Sequence, residues 1–211
     1  MSMPLKKSLL ERLVRYMHFI QDKLLEQERR TVSSVMIAEY ADIDESQVRK
    51  DLAAIGVRGT PRVGYRTREV VAAIRDRLGF DDTFRAVLIG AGRLGGAIIS
   101  YPGFAKYGLS IVAIVDSDPR KTGSMISGLV VQPDHRLGQI VRREKIDLGI
   151  ITVPRDAAQG CADQLIDLGV KALWNYAPIW ISVPDDVHVR HEHLSVGLAE
   201  LAYYLNHADP S

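Results

Sequence analysis

The stretch Ala86-Val87-Leu88-Ile89-Gly90-Ala91-Gly92-Arg93-Leu94-Gly95 decides the reading of this chain. Four consecutive apolar residues run into a G-x-G-x-x-G, and a helix is predicted to open at Arg93. Alone the glycine pattern is weak; between a strand and a helix start it is a dinucleotide fingerprint. Gly90 permits the tight turn, Gly92 lets the backbone approach a pyrophosphate, and Gly95 permits close packing of helix on strand. The free N–H groups and partial positive charge at the helix start suit phosphates. A second apolar run, Leu109 to Val115, leads to Asp116, 21 residues beyond Gly95. A carboxylate there accepts from both ribose hydroxyls and repels a 2′-phosphate, which favours NAD over NADP. Arg120 and Lys121 stand close by and temper that preference.

Toward the C-terminus the same rhythm continues. Ile146 to Val153 is a third apolar run and Val170 to Trp174 a fourth, with helical segments at about 134–144 and 156–168. Apolar strands alternating with helices indicate a parallel sheet covered on both faces. Ligands of such sheets bind beyond the carboxyl ends of the strands. Thr152-Val153-Pro154 and Asn175-Tyr176-Ala177-Pro178 are therefore candidates for the nicotinamide side. With the residues of the glycine turn, Gly96, Asp116 and Ser117, they complete the candidate cofactor site. Residues 194–207 read as a last helix, with Leu198, Leu201, Ala202 and Leu205 on one face and Tyr203 and Tyr204 beside them.

Toward the N-terminus the period changes. Leu9, Leu13, Tyr16, Ile20 and Leu24 recur at helical spacing over 8–27. Ser33-Ser34 offers an N-cap for a short helix through Ala41, and Asp44 or Ser46 caps a third running toward Gly56. Gly56, Gly59, Pro61 and Gly64 punctuate a β-ribbon over 57–66, and residues 67–79 are helical again, ending at Gly79. Helix, helix, turn, helix and hairpin make a winged helix-turn-helix. The expected organisation is a winged helix over 1–79, a Rossmann-type domain over 80–193 and a C-terminal dimerisation helix over 194–211.

Charge follows the same boundary. The whole chain of 211 residues carries a net +1, which conceals +4 over 1–79 and −3 over 80–211. Within 46–68 six basic residues face one acid, Asp51. In the third helix Val48 and Leu52 are the i, i+4 anchors, which frees Ser46, Gln47, Arg49 and Lys50 near its N-terminus, the part that enters a major groove. Arg and Lys suit guanine edges or phosphates, and Gln suits adenine. Arg58, Arg62 and Tyr65 of the ribbon are placed to clamp a flanking backbone or minor groove.

Other chemistries find little support. His188, His191 and His193 crowd one strand-and-turn region, with no acid or cysteine placed to complete a metal site. Cys161 sits among alanines and reads as a small buried residue. No acid/base pair emerges, and the 116 residues after Gly95 leave no room for a substrate domain. The alternative, a small NAD-dependent oxidoreductase with an N-terminal helical dimerisation module, lacks both. No apolar run reaches the roughly 20 residues of a membrane span, and no secretory signal opens the chain. With a single cysteine, a reducing cytoplasm is the plain reading.

The chain resembles the Rex-type redox-sensing transcriptional repressors over nearly its whole length. The resemblance rests on residues 46–52 (SQVRKDL), Val63-Gly64-Tyr65, the glycine turn 90–95, Tyr101-Pro102-Gly103-Phe104, Asp116-Ser117-Asp118-Pro119, Thr152-Val153-Pro154 and Asn175-Tyr176-Ala177-Pro178. It implies a homodimer on a palindromic operator in double-stranded DNA, released by NADH with NAD+ competing, and no catalysis. It also implies a C-terminal helix swapped onto the partner, with Tyr203 or Tyr204 near the partner's nicotinamide pocket, and Tyr101 beside the nicotinamide ring. Two departures stand out. Ala54-Ile55 replace an aromatic pair, and Pro61-Arg62 replace Arg-Gly before Val63. Proline fixes φ near −65° and arginine lacks glycine's backbone freedom, so a wing of another shape and a different operator are expected.

Overall fold

The computed structural model describes residues 5–25 and 27–207. Residues 1–4 and 208–211 of the expected terminal segments lie outside the described residues. Residues 1–82 and 83–211 form two compact units.

In the first unit α1 (Lys7–Phe19) runs into a π-helical turn, Ile20–Leu25, so the predicted apolar stripe continues on a locally widened helix. β1 (Thr31–Val32) leads to α2 (Ser34–Ala41), where the Ser33 hydroxyl accepts from the Met36 N–H at 3.1 Å. α3 (Glu45–Ala54) is capped by Asp44, which accepts from the Ser46 N–H at 2.7 Å. Such caps satisfy N–H groups that the helix itself leaves open. β2 (Tyr65–Arg66) precedes α4 (Thr67–Leu78), which stops at Gly79 with φ +71°. The apolar faces meet in a core of Leu13, Tyr16, Ile20, Ile37, Val48, Leu52, Val70 and Ile74, all fully buried.

The ribbon expected over 57–66 is shorter than its punctuation suggested. Thr60 bridges Gly64 around the turn Pro61-Arg62-Val63, and Tyr65–Arg66 pairs with Thr31–Val32 instead. Proline has no N–H to give to a ladder, whereas pairing with β1 buries Val32 and Tyr65 together on the inner face. Arg62 takes glycine's backbone region, with φ +63°, contrary to the expectation that arginine would impose another shape. Gly64 is required outright: its φ is +89°, and a Cβ would stand 2.4 Å from the Val32 carbonyl oxygen.

The second unit contains β3 (Phe84–Ile89), α5 (Arg93–Ile99), β4 (Leu109–Asp116), β5 (Met125–Ile126), β6 (Leu129–Pro133), α6 (Leu137–Glu144), β7 (Leu148–Ile151), α7 (Arg155–Asp167), β8 (Ala172–Asn175), β9 (His188–His191) and α8 (Leu194–His207). The sheet order is β5-β6-β4-β3-β7-β8-β9, parallel throughout except at β5–β6. Without the β5 edge this is the 3-2-1-4-5-6 order of a doubly wound dinucleotide sheet. Successive side chains alternate between faces. Val87, Ile89, Val115 and Ile151 pack with residues of α6 and α7, and Ala86, Leu88, Ile114 and Ile150 pack with Ile98 of α5. The β5–β6 hairpin was missed in the sequence, although Ser127-Gly128, both at positive φ, form the two-residue turn that signals one.

Candidate functional site

The strand order reverses between β3 and β7, and an open cleft of about 620 Å³ lies at their carboxyl ends. It brings together Gly90, Gly92, Arg93, Leu94, Asp116, Ser117, Thr152, Val153 and Pro154 from the sequence reading. The three glycines differ as their roles demand. Gly90 has φ +106°, and a Cβ on Gly95 would stand 2.1 Å from the Gly90 carbonyl oxygen. A Cβ on Gly92 would meet nothing within 4 Å, so its smallness serves the cleft and not the fold. The Thr152 hydroxyl sits 3.0 and 2.8 Å from the carbonyl oxygens of Ile89 and Gly90, tying the end of β7 to the turn.

Asp116 is only 6% exposed. Its Oδ2 accepts from the Ala91 N–H and the Lys121 ammonium, at 2.7 and 2.8 Å, and its Oδ1 accepts from the Asp118 N–H at 2.8 Å. Burial alone would raise this carboxyl; the bonds from Lys121, Asp118 and Ala91 outweigh it and hold the group below the usual carboxylate range. A carboxylate has about four acceptor positions, so Oδ1 keeps one for a ligand. The expectation that this carboxylate accepts from both ribose hydroxyls is thereby cut to one acceptor position.

Lys121, noted in the sequence only as a neighbour of Asp116, also lines the cleft, and other lining residues escaped the sequence reading: Asp134, Leu137, Ala157, Gly160, Cys161 and Gln164. Four of these were legible in principle, because 157, 160, 161 and 164 share one helix face by their spacing. Cys161 is half-buried: it packs against the core, as its reading as a small buried residue expects, and it also lines the cleft. Burial first, and Asp134 second, push its thiol pKa up. Ala91, Gly95, Gly96, Tyr101, Asn175, Ala177 and Pro178 do not line this cleft. Tyr101 is 56% exposed and begins an aromatic chain through Phe104 and Trp174 to Tyr176, with centroids 4.9, 5.5 and 5.2 Å apart. Asn175 and Ala177 are buried. The Asn175 amide accepts from the Ala177 N–H at 3.0 Å and donates to the Ile179 carbonyl at 2.8 Å, which fixes the loop after β8.

In the first unit Ser46, Arg49 and Lys50 are exposed on α3, as are Arg58 and Arg62. A groove of about 450 Å³ runs between Ser33, Ser34, Glu45 and Arg49 on one side and residues 59–65 on the other. Gln47 is not free: it donates to Asp51 at 2.7 Å. Tyr65 is buried, its ring 3.0 Å from where a Cβ on Gly59 would stand, so it props the wing from beneath. Asp51 also accepts from Arg12 Nε and Nη2 and from the Tyr16 hydroxyl, at 2.6, 2.9 and 2.7 Å. Burial would raise the Asp51 carboxyl, but the bonds from Arg12, Tyr16 and Gln47 hold it low.

The family described as "CoA binding domain" matches residues 81–179, and "Putative DNA-binding protein N-terminus" matches residues 7–53. The redox-sensing transcriptional repressor Rex of Thermoanaerobacter sp. strain X514 is 37% identical over 199 residues, covering 94% of this chain and 88% of the relative. That of Desulforamulus reducens is 42% identical over 175 residues, covering 83% of each. Among solved structures, RSP in complex with β-NAD+ and operator DNA matches with a TM-score of 0.92 at 36% identity, covering 98% of this chain and 95% of that one. RSP, a Rex-family repressor, in complex with β-NADH matches at 0.88 and 35%, covering 98% and 97%.

Proposed function

The chain belongs to the Rex family of redox-sensing transcriptional repressors, and we propose that it is a cytoplasmic, homodimeric repressor that leaves its palindromic operator when NADH fills the cleft. The observation that carries this reading is the pairing of two sites on one chain. A dinucleotide cleft stands in one unit, and a helix presenting Ser46, Arg49 and Lys50 stands in the other. NAD+ and NADH differ by one positive charge and by ring planarity at the nicotinamide, and that difference is what the second unit has to sense. Gly90, Gly92, Arg93, Asp116, Ser117 and Thr152 to Pro154 hold the nucleotide, with Tyr101 and the loop 175–178 on the nicotinamide side. Ser46, Arg49, Lys50, Arg58 and Arg62 contact DNA. Leu198, Leu201 and Leu205 of α8 are 67%, 62% and 82% exposed, an apolar surface suited to a second copy. Coupling of about 1–3 kcal/mol changes DNA affinity by roughly 5- to 150-fold. Rotation of the dimer that unseats half-sites about one helical turn apart supplies the switch.

The test is a duplex selected by the protein from a random-sequence pool, titrated across NADH:NAD+ ratios at fixed salt. Affinity should fall as NADH rises; equal affinity at both extremes would refute the sensor.

A further inference from the structure

We propose that a second basic cavity, lined by Arg29, Arg30, Arg66 and Arg68, grips the DNA backbone beyond the operator core. It rests on the operator-binding reading and extends it to residues that the reading helix and wing do not include.

The cavity, of about 530 Å³, lies at the opposite end of the β1–β2 ribbon from the wing groove. Ser33 and Gly64 border the groove at one end, and Arg30 and Thr67 border the cavity at the other. From Ser33 to Arg30 is three steps of nearly extended chain, roughly 10 Å. That equals the axial advance of about three base pairs. The pleat points Val32 and Tyr65 inward, leaving Thr31 and Arg66 exposed on the outer face.

Its charges are available. Four arginines face two acids, Glu28 and Glu69, around the cavity. Arg66 approaches Glu69 only at 3.5 Å, with both side chains largely in solvent, a pair of little net strength. Among the described residues no ion pair engages Arg29, Arg30 or Arg68. The frame beneath is fixed: the Thr67 hydroxyl donates to the Arg29 carbonyl at 2.9 Å and its N–H to the Arg30 carbonyl at 3.0 Å. α4 starts here without a side-chain cap, so that beyond Thr67 its first-turn N–H groups face an anion without a competing side-chain acceptor. The ligand that fits is a run of backbone phosphates.

The test uses the full chain and the duplex it selects, in two lengths: the core alone, and the core with about five extra base pairs on each side. Wild type should bind the longer duplex about 10-fold tighter. Arg66→Ser/Arg68→Ser should bind both lengths alike, and its slope of log affinity against log salt should fall by about two per protomer. Arg29→Ser/Arg30→Ser should repeat this, and NADH affinity should stay unchanged in both. Retained length dependence and slope in both variants would overturn the site. So would loss of inorganic phosphate binding with length dependence intact, which would mark a small-anion pocket. If wild type selects no duplex, the operator reading itself falls and this site falls with it.

Discussion

Asp51 and Asp116 are both buried aspartates holding a functional element, and they do it by different means. Asp51 takes its bonds from side chains, two of them on α1 and distant in sequence. It clamps a finished helix to its domain, and the helix then offers side chains to solvent. Asp116 takes two of its three bonds from backbone N–H groups, including that of Ala91 in the glycine turn. It shapes a loop whose main chain is itself the binding surface. A rigid rod suits the reading of base edges, and a shaped main chain suits a pyrophosphate.

The sharpest way to break the contrast is Asp51→Ala. It strands a largely buried Arg12 guanidinium and the Tyr16 hydroxyl. Loss of one partner of a buried pair costs about 3–5 kcal/mol. Urea unfolding should show that loss in the first unit, with operator affinity gone and NADH affinity retained. Intact DNA binding would show that the clamp is dispensable.

Gly92→Val comes next and addresses the main-chain surface. Space around Gly92 is open and its φ of −85° is ordinary, so the protein should fold with an unchanged melting temperature. The added side chain occupies the pyrophosphate's approach. NADH affinity should fall by on the order of 100-fold, about 2.7 kcal/mol. Operator binding should persist and no longer respond to NADH. Unfolding instead would mean that Gly92 serves packing, as Gly95 does.

Much of this contrast was legible in the chain. The glycine turn, the strand–helix alternation and the caps at Ser33 and Asp44 are local signals, and each is where the pattern put it. What was hidden depends on partners far away in sequence. Gln47 and Tyr65 read as DNA contacts because their types suit the role, yet one is held by Asp51 and the other lies under Gly59. Asp116 reads as a ribose acceptor with Lys121 nearby, but that Lys121 bends inward to occupy one of its oxygens leaves no periodic trace. Cys161 reads as a small buried residue from its alanine neighbours and does pack on the core, but the cleft that it also lines leaves no sign in that pattern. Arg62 is the reverse case: the departure from the family's pattern predicted a changed wing, and the backbone absorbed the arginine by taking a left-handed conformation.

That conformation is a third handle. A non-glycine residue in the left-handed region is strained by about 1–2 kcal/mol. Arg62→Gly should stabilise the first unit by about 1 kcal/mol in thermal unfolding, with part of the gain offset by glycine's greater freedom when unfolded. Operator affinity should fall at the same time, because the guanidinium is gone. A variant both more stable and equally tight on DNA would show that Arg62 is tolerated and not used.

The smallest effect separates the units by pH. His191 Nδ1 lies 3.1 Å from Asn175 Nδ2, a contact that requires a neutral, accepting imidazole. Its ring also stacks on His193 at 5.6 Å and lies against Trp180 at 4.5 Å. Burial first, and His193 second, lower its pKa from the ordinary 6.5. The unfolded chain therefore binds the proton more readily than the folded one. Stability of the second unit is at its full value above about pH 6.5 and declines as pH falls below it toward the lower folded value. Melting curves between pH 7.5 and 5.5 should show that decline in wild type, and a shallower one in His191→Asn. In the first unit the Asp51 carboxyl is held below the usual carboxylate range, so its clamp on α3 should stay charged across the same window and operator affinity should change little. Parallel decline of both units in wild type and variant alike would place the acid sensitivity elsewhere than at His191 and the loop that Asn175 fixes.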